Sequence, residues 1–536
     1  MFDHRDIAKI SNRFTHISHH ILKYRCDQQD KKFKAKMNDL KGTQLAILEK
    51  ILSSSRFALD RNIKNYQLFI DKLSITRYAD WKDDILKNKT NKNTISTSKL
   101  VRYQPTSGSS EQIKFIPYTQ MFLDELDAAI APWLSSMYRK CPELLQGTHY
   151  WSVSWLPESQ REVLKDDNLN DDSALLGLGK RILSKFTQAV PADVSFAAQA
   201  EDAMFATLCY LVGDKNLTMI SVWSPTFALQ LLEKLEIFKD EIIQVLSNGD
   251  WGGRADSLKS VKAPKNKQRA NDLKDCIDGE TVNFERLWPN LTLISSWDTA
   301  GSKQWAQVLK DKLPFAHFEG KGLWATEGVI TIPYDDHYPL AYQSHFYEFE
   351  YLNGKNIGKI IPSWKLELGD LVSPIITSGN GLLRYALDDS LLVTGFKGEI
   401  PCFEFQGRRF GVDLVGEKIS PDVAQQLLEQ LNADNFKAIS LLAIDTKGLE
   451  KPFYTVLFEG ETPQQFNADE IDQLLRAHFH YDLARDLGQL NQAMYLCREN
   501  GWLAYKSLVM HDGMIEGNIK PEPLKKISLN SLRSLV

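Results

Sequence analysis

Between Tyr150 and Leu235 the chain switches repeatedly between two hydrophobic periods. Tyr150-Trp151-Ser152-Val153-Ser154-Trp155 and Leu217-Thr218-Met219-Ile220-Ser221-Val222-Trp223 are strand-like, whereas Ala203 to Leu211 and the segment from Pro225 to Leu235 are helical. Leu291-Thr292-Leu293-Ile294-Ser295-Ser296-Trp297 adds a strand closed by the turn Asp298-Thr299-Ala300-Gly301. Such alternation buries a sheet between helices, so it predicts an α/β fold with a mostly parallel sheet. Residues 1 to about 95 read as helical, with Thr43 ahead of an amphipathic run of Leu45, Ile47, Leu48, Ile51 and Leu52. Ile75 to Trp81 reads as an extended piece entering another helix, and Asn88 to Thr97 as a polar linker.

Past Gly407-Arg408-Arg409 the pattern changes. Pro421 to Leu431 is helical, Ala438 to Ile444 and Phe453 to Phe458 are strands, a helix starts near Asp469, and Gly501 opens a closing segment. That is a compact α+β unit of its own. The expected organisation is a large N-terminal domain over 1–406, with mixed sheets and helices, and a smaller C-terminal domain over 407–536. A chain of 536 residues, 43% hydrophobic and 25% charged, has room for a large core.

A net charge of −5 gives no reason to expect nucleic acid or an anionic membrane as partner. The basic stretch Arg254 to Lys274 lacks interleaved aromatics and reads as a solvated loop. The start, Met1 to Ile10, is not signal-like, and no apolar run reaches the roughly twenty residues that span a bilayer. Six scattered cysteines without a Cys-x-x-Cys pair fit free thiols in the cytoplasm. His16 and His20 form an i, i+4 pair, but His16, His19 and His20 together read better as a solvated helix face than as a metal site.

Three short segments carry chemistry. Thr106-Ser107-Gly108-Ser109-Ser110-Glu111-Gln112-Ile113-Lys114 combines hydroxyls, a glycine and a lysine, which suits close backbone approach to phosphate and neutralisation of its charge. No glycine directly precedes Lys114, so it is not a Walker loop, and a second glycine is missing for a nucleophile elbow. A helix follows, with Thr119 as N-cap, Asp124 and Glu125 near its first turn, and Pro132 as a kink or early end. Thr326-Glu327, on a turn before the strand-like Val329 to Pro333, offers a hydroxyl to phosphate and a carboxylate to Mg²⁺. Asp388-Asp389 offers carboxylates to ribose hydroxyls. Alone, the first reads equally well as a serine-rich surface loop, and Thr326-Glu327 and Asp388-Asp389 read better as ordinary turns.

Their order is more specific than any one of them. Thr106-Ser107-Gly108-Ser109-Ser110 with Lys114 and Ile116-Pro117-Tyr118-Thr119, then Leu323-Trp324-Ala325-Thr326-Glu327, then Gly381-Leu382-Leu383-Arg384-Tyr385 through Val393-Thr394-Gly395-Phe396, then Asp413 to Lys418, resemble the auxin-responsive Gretchen Hagen acyl acid–amido synthetases of the luciferase-like adenylate-forming superfamily. The likeness spans about residues 40 to 525. It departs at Glu111 and Asp388, where the family has glycines, and at Leu323-Trp324, where it has Tyr-Ala.

The resemblance implies an ATP- and Mg²⁺-dependent ligase that activates a small carboxylic acid as an acyl-adenylate and passes the acyl group to an amine, an amino acid, to form an amide. By position, Thr106, Ser107, Gly108, Ser109, Ser110 and Lys114 would hold ATP phosphates, with Thr119 beside them. Leu323, Trp324, Ala325 and Thr326 would contact the nucleotide, Glu327 would bind Mg²⁺, and Asp389 would bind ribose. Arg408 would sit at a hinge, so that the C-terminal domain is a mobile lid, and Lys520 would be the lysine approaching the acyl-adenylate. The protein would act as a cytoplasmic monomer. A CoA ligase of the same superfamily, or a non-catalytic nucleotide-binding protein, are the alternatives.

Overall fold

A computed structural model describes residues 4–90, 95–105, 114–152, 187–299, 302–409, 411–412, 414–415, 417, 419–432, 436–446, 451–461, 467, 469–486, 489–511 and 519–533. The chain forms two compact units, one of residues 1–298, 303–387 and 391–405, the other of residues 299–302, 388–390 and 406–536.

The first unit holds two principal sheets. One runs in the order Thr148–Trp151, Leu217–Ser221, Leu293–Ser296, His317–Gly320, with every pair parallel. Its central strands are buried at every position, as expected of a parallel sheet covered on both faces. Helices Ala200–Gly213 and Pro225–Asn248 pack on one core with it. Pro225 suits the first turn of its helix, where the missing N–H costs nothing, and Gly249 ends that helix at φ 79°. The other sheet runs Ile360–Pro362, Phe346–Tyr351, Leu371–Thr377, Asp389–Lys397, Ile400–Arg408, with Tyr385–Ala386 paired to Leu371–Thr377. The N-terminal helices, His4–Ala35 foremost, and the helix Gln120–Lys140 pack with this sheet in a second core.

The second unit centres on a sheet ordered Met494–Arg498, Phe453–Gly460, Phe436–Asp445, Leu524–Ser528, antiparallel at its middle and parallel at both edges. Helix Pro421–Leu431, capped by Ser420, buries Ala424, Leu427 and Leu428 in its core. Among the described residues no helix is long and apolar enough to cross a membrane.

Several local expectations are corrected. A strand, Phe115–Thr119, precedes the helix capped by Thr119. Pro132 does not end that helix, which continues to Lys140 because its burial over most of its length outweighs one lost hydrogen bond. The helix that carries the amphipathic run, Leu40–Ser54, starts ahead of Thr43 with Asp39 as its cap, and Thr43 is buried within it. His19 is no part of a solvated face: it is buried between Tyr138 Oη and Gly147 O, and burial lowers its pKa to about 4. The basic stretch after Arg254 includes helix Lys267–Cys276, where Arg269 is buried and donates to the carbonyls of Val212 and Leu287. Val153, Ser154, Trp155, Ala300 and Gly301 lie outside the described residues.

Candidate functional site

Trp324–Ala325 and Gly328–Val329 pair antiparallel, Gly328 opposite Ala325, so Thr326 and Glu327 form the two-residue turn of a hairpin. Two distant segments grip that turn at three points. Tyr118 Oη donates to the Thr326 carbonyl at 3.1 Å. Asn380 Nδ2 donates to the Glu327 carbonyl at 3.2 Å. Tyr385 Oη donates to Glu327 Oε1 at 3.2 Å. Burial raises the Tyr118 phenol above its ordinary value, which keeps it a hydrogen-bond donor.

A deeper layer fixes the grip. Thr119 Oγ1 accepts from Phe122 N at 3.2 Å and donates to Gly379 O at 2.7 Å. Gly379 N donates to both carboxylate oxygens of buried Glu125, at 3.0 and 2.9 Å. Glu125 Oε2 also meets His345 Nδ1 at 2.8 Å, and His345 Nε2 accepts from Val329 N at 3.2 Å. The amide of Val329 can only donate, so the ring hydrogen sits on Nδ1 and goes to Glu125. Glu125 thus joins the helix after Thr119 to the Gly379 loop and, through His345, to the hairpin. Sequence spacing put it near a helix start; its burial against His345 could only be seen in three dimensions. Gly328 admits no side chain, since a Cβ there would lie 2.9 Å from His345 Nε2.

The remaining site candidates divide. Thr106, Ser107, Gly108, Ser109 and Ser110, with Glu111, lie outside the described residues. The strands on either side pair antiparallel, Pro105 opposite Phe115. Lys114 is half-buried, its Nζ 5.7 Å over the Tyr78 ring, while Phe115 N donates to Tyr78 Oη. Trp324, Ala325, Thr326 and Glu327 are half-buried along the hairpin, but Leu323 is buried in the core. The first unit therefore brings Thr119, Thr326 and Glu327 into one bonded cluster. Asp388 and Asp389 are counted with the second unit; Asp389 is the first residue of the strand Asp389–Lys397, and Arg409 N donates to Asp388 O at 2.8 Å. Arg408 ends its strand, and Lys520 is half-buried ahead of Leu524–Ser528. Among the described residues no group of three or more His, Cys, Asp or Glu could hold a metal ion. A half-buried carboxylate such as Glu327 still suits Mg²⁺, which takes one or two carboxylates and completes its shell from phosphate and water.

Sequence reasoning passed over Lys321. It is 4% exposed, donates to Ser221 Oγ at 2.8 Å, and lies 4.9, 5.4 and 5.9 Å from the ring centroids of Trp223, Trp133 and Trp151. Desolvating an ammonium costs several kcal/mol, and cation–π contacts return about 0.5–2 kcal/mol each. No linear motif marks it, because its cage comes from a helix, a strand and the loop after another strand, far apart in the chain.

Fold and site together define an α/β protein of two units, with a braced hairpin turn in the first. Its fold is that of two solved acyl acid amido synthetases: one described as GH3.15, at 16% identity over 94% of both chains with a TM-score of 0.72, and AtGH3.15 in complex with 2,4-DB, at 17% identity over 96% of this chain and 95% of the other with a TM-score of 0.74. The GH3 family N-terminal domain matches residues 29–317, and the GH3 family central domain matches residues 338–408. The first match alone takes in more than half of the chain, and this protein belongs to the GH3 family. A curated relative, the 4-substituted benzoates-glutamate ligase GH3.12 of Arabidopsis thaliana, is 22% identical over 464 residues, covering 80% of this chain and 77% of its own.

Proposed function

We propose that this protein is an ATP-dependent acyl acid–amido synthetase that couples a small carboxylic acid to the amine of an amino acid. The observation that carries the assignment of the site is the hairpin turn Thr326–Glu327, held at three points by Tyr118, Asn380 and Tyr385. A turn so braced presents a hydroxyl and a carboxylate without reorganisation, the condition for electrostatic stabilisation of a phosphate-transfer step.

In the first half-reaction the acid's carboxylate attacks the α-phosphate of ATP, giving acyl-adenylate and pyrophosphate. Two anions must meet, so Lys114 and Lys520 supply positive charge, with Ser107, Ser109 and Ser110 donating to phosphate oxygens. Bound Mg²⁺ would neutralise phosphate charge, and Glu327 is the residue that would hold it. Trp324 and Ala325 flank the nucleotide, and Asp389 takes the ribose hydroxyls. In the second half-reaction the amine attacks the acyl carbon, the amide forms and AMP leaves. A domain boundary near Arg408 would let residues 407–536 act as a lid between the halves. The six cysteines are free thiols, which supports a reducing compartment such as the cytoplasm.

The test is acid-dependent exchange of pyrophosphate into ATP across a panel of carboxylic acids, followed by product mass with amino acids. Exchange followed by an amide product is expected. Exchange followed only by a thioester with CoA would move the protein to a different ligase class, and no exchange with any acid would refute the activity.

A further inference from the structure

Lys321 follows the edge strand of the parallel sheet, and the register across that sheet decides its surroundings. Trp151, Ser221, Ser295 and Glu319 stand in one cross-strand row. Partners in a row point to the same face, about 4.8 Å apart from strand to strand. The row therefore sets two hydroxyls between an indole and a carboxyl, at the carboxyl ends of the strands, where open α/β sheets take their ligands. Lys321 Nζ bonds to the hydroxyl of Ser221. The hydroxyl of the next residue in the row, Ser295, is fully buried and has no hydrogen-bond partner among the described residues. Glu319 accepts from Trp133 Nε1 at 2.9 Å; burial raises its carboxyl above the usual range, and the Trp133 bond and the charges of Lys140 and Lys321 act against that rise.

The cage also touches the hairpin. The Trp324 ring lies 5.9 Å from Trp133 and 6.1 Å from Trp223, the indole nearest the lysine. Trp151, Trp223 and Trp324 are each half-buried, whereas Lys321 is buried. A flat ring laid against the half-buried faces of Trp324 and Trp223 would run from the hairpin that carries Trp324 toward Lys321, which lies nearest Trp223. Indole faces favour a flat, apolar ring. A buried ammonium bonded to one hydroxyl of this row, with the next hydroxyl of the row unsatisfied, favours an anionic oxygen in a low dielectric.

We propose that Lys321 determines acid specificity, and that the preferred substrate is a planar aromatic acid with a second carboxylate at the end remote from the carboxyl being activated. The inference rests on the ligase reading above and adds the class of acid. The assay is pyrophosphate exchange with 1,4-benzenedicarboxylate and with its monomethyl ester, which keeps the shape but loses one charge. The wild-type protein should favour the dicarboxylate in kcat/KM by at least about tenfold, since it gains a charge-assisted hydrogen bond. Lys321→Gln should bring the ratio near one, and Lys321→Arg should retain a preference. A merely structural lysine would change stability and leave the ratio where it was. A wild-type ratio at or below one overturns the inference without any variant, as does an unchanged ratio in a folded Lys321→Gln protein. If other acids support exchange while the ratio fails, this inference alone falls; if none does, the ligase reading falls with it.

Discussion

Arg384 stands at the head of the segment that delivers Tyr385 to Glu327, and replacing it should expose how that segment is held. Its Nε and Nη2 donate to the two carboxylate oxygens of Glu348 at 2.8 and 3.0 Å, and Nη1 donates to Leu73 O at 2.6 Å. Both side chains are almost fully buried. Arg384→Met keeps the bulk but leaves a buried carboxylate whose remaining side-chain donor is Tyr66 Oη, at 3.2 Å. Breaking a buried pair on one side costs about 3–5 kcal/mol. At about 2 °C per kcal/mol in a large domain, the unfolding temperature should fall on the order of 6–10 °C. The loss should depend on pH. Burial already raises the Glu348 carboxyl above its usual 4.5, and Arg384 pulls it back down. Without Arg384 the folded-state value rises further above the unfolded one. A carboxyl raised in this way is stabilising only while protonated, so the deficit should be small near pH 5 and grow as pH rises toward 8. Arg384→Met with Glu348→Leu removes both charges and should recover most of the stability. Thermal unfolding followed by circular dichroism at several pH values measures all of this. A deficit equal at pH 5 and 8, or a double variant no better than the single one, would refute the reasoning.

Lys114→Ala should abolish acid-dependent pyrophosphate exchange while the unfolding midpoint moves by less than about 1 kcal/mol, because its packing is a half-exposed contact with the Tyr78 ring; wild-type exchange in that variant removes Lys114 from catalysis. Asp389→Ala should weaken ATP binding on the order of 10- to 100-fold by calorimetry, the worth of charge-assisted bonds to ribose, and an unchanged affinity would sink that role. Thr119→Ala loses a helix cap and the bond to Gly379 O. It should cost about 1–2 kcal/mol in denaturant unfolding, with Thr119→Ser close to wild type; a neutral Thr119→Ala would show that the cap is dispensable.

What the sequence alone determined was periodic or local. The alternation from Tyr150 to Leu235 already specified strands between helices, since burial on both faces of a sheet leaves that signature in one dimension. Pro421 to Leu431 was legible to the residue because its cap, its first-turn proline and its apolar stripe agree. The Thr119 cap and the order of the family segments were likewise readable. The tertiary structure decided everything that depends on convergence. Glu125 became a buried anchor for Gly379 and His345, His19 a core residue, and Arg269 a brace between two helix ends, although nothing local separates them from solvated charges. Thr326–Glu327 acquired its grip from residues more than fifty positions away along the chain, apart from what its own hairpin supplies. Lys321 acquired its indole cage in the same way. A buried polar group is tolerated only when its partners arrive with it, and those partners are chosen by packing between elements, which spacing along one segment does not encode.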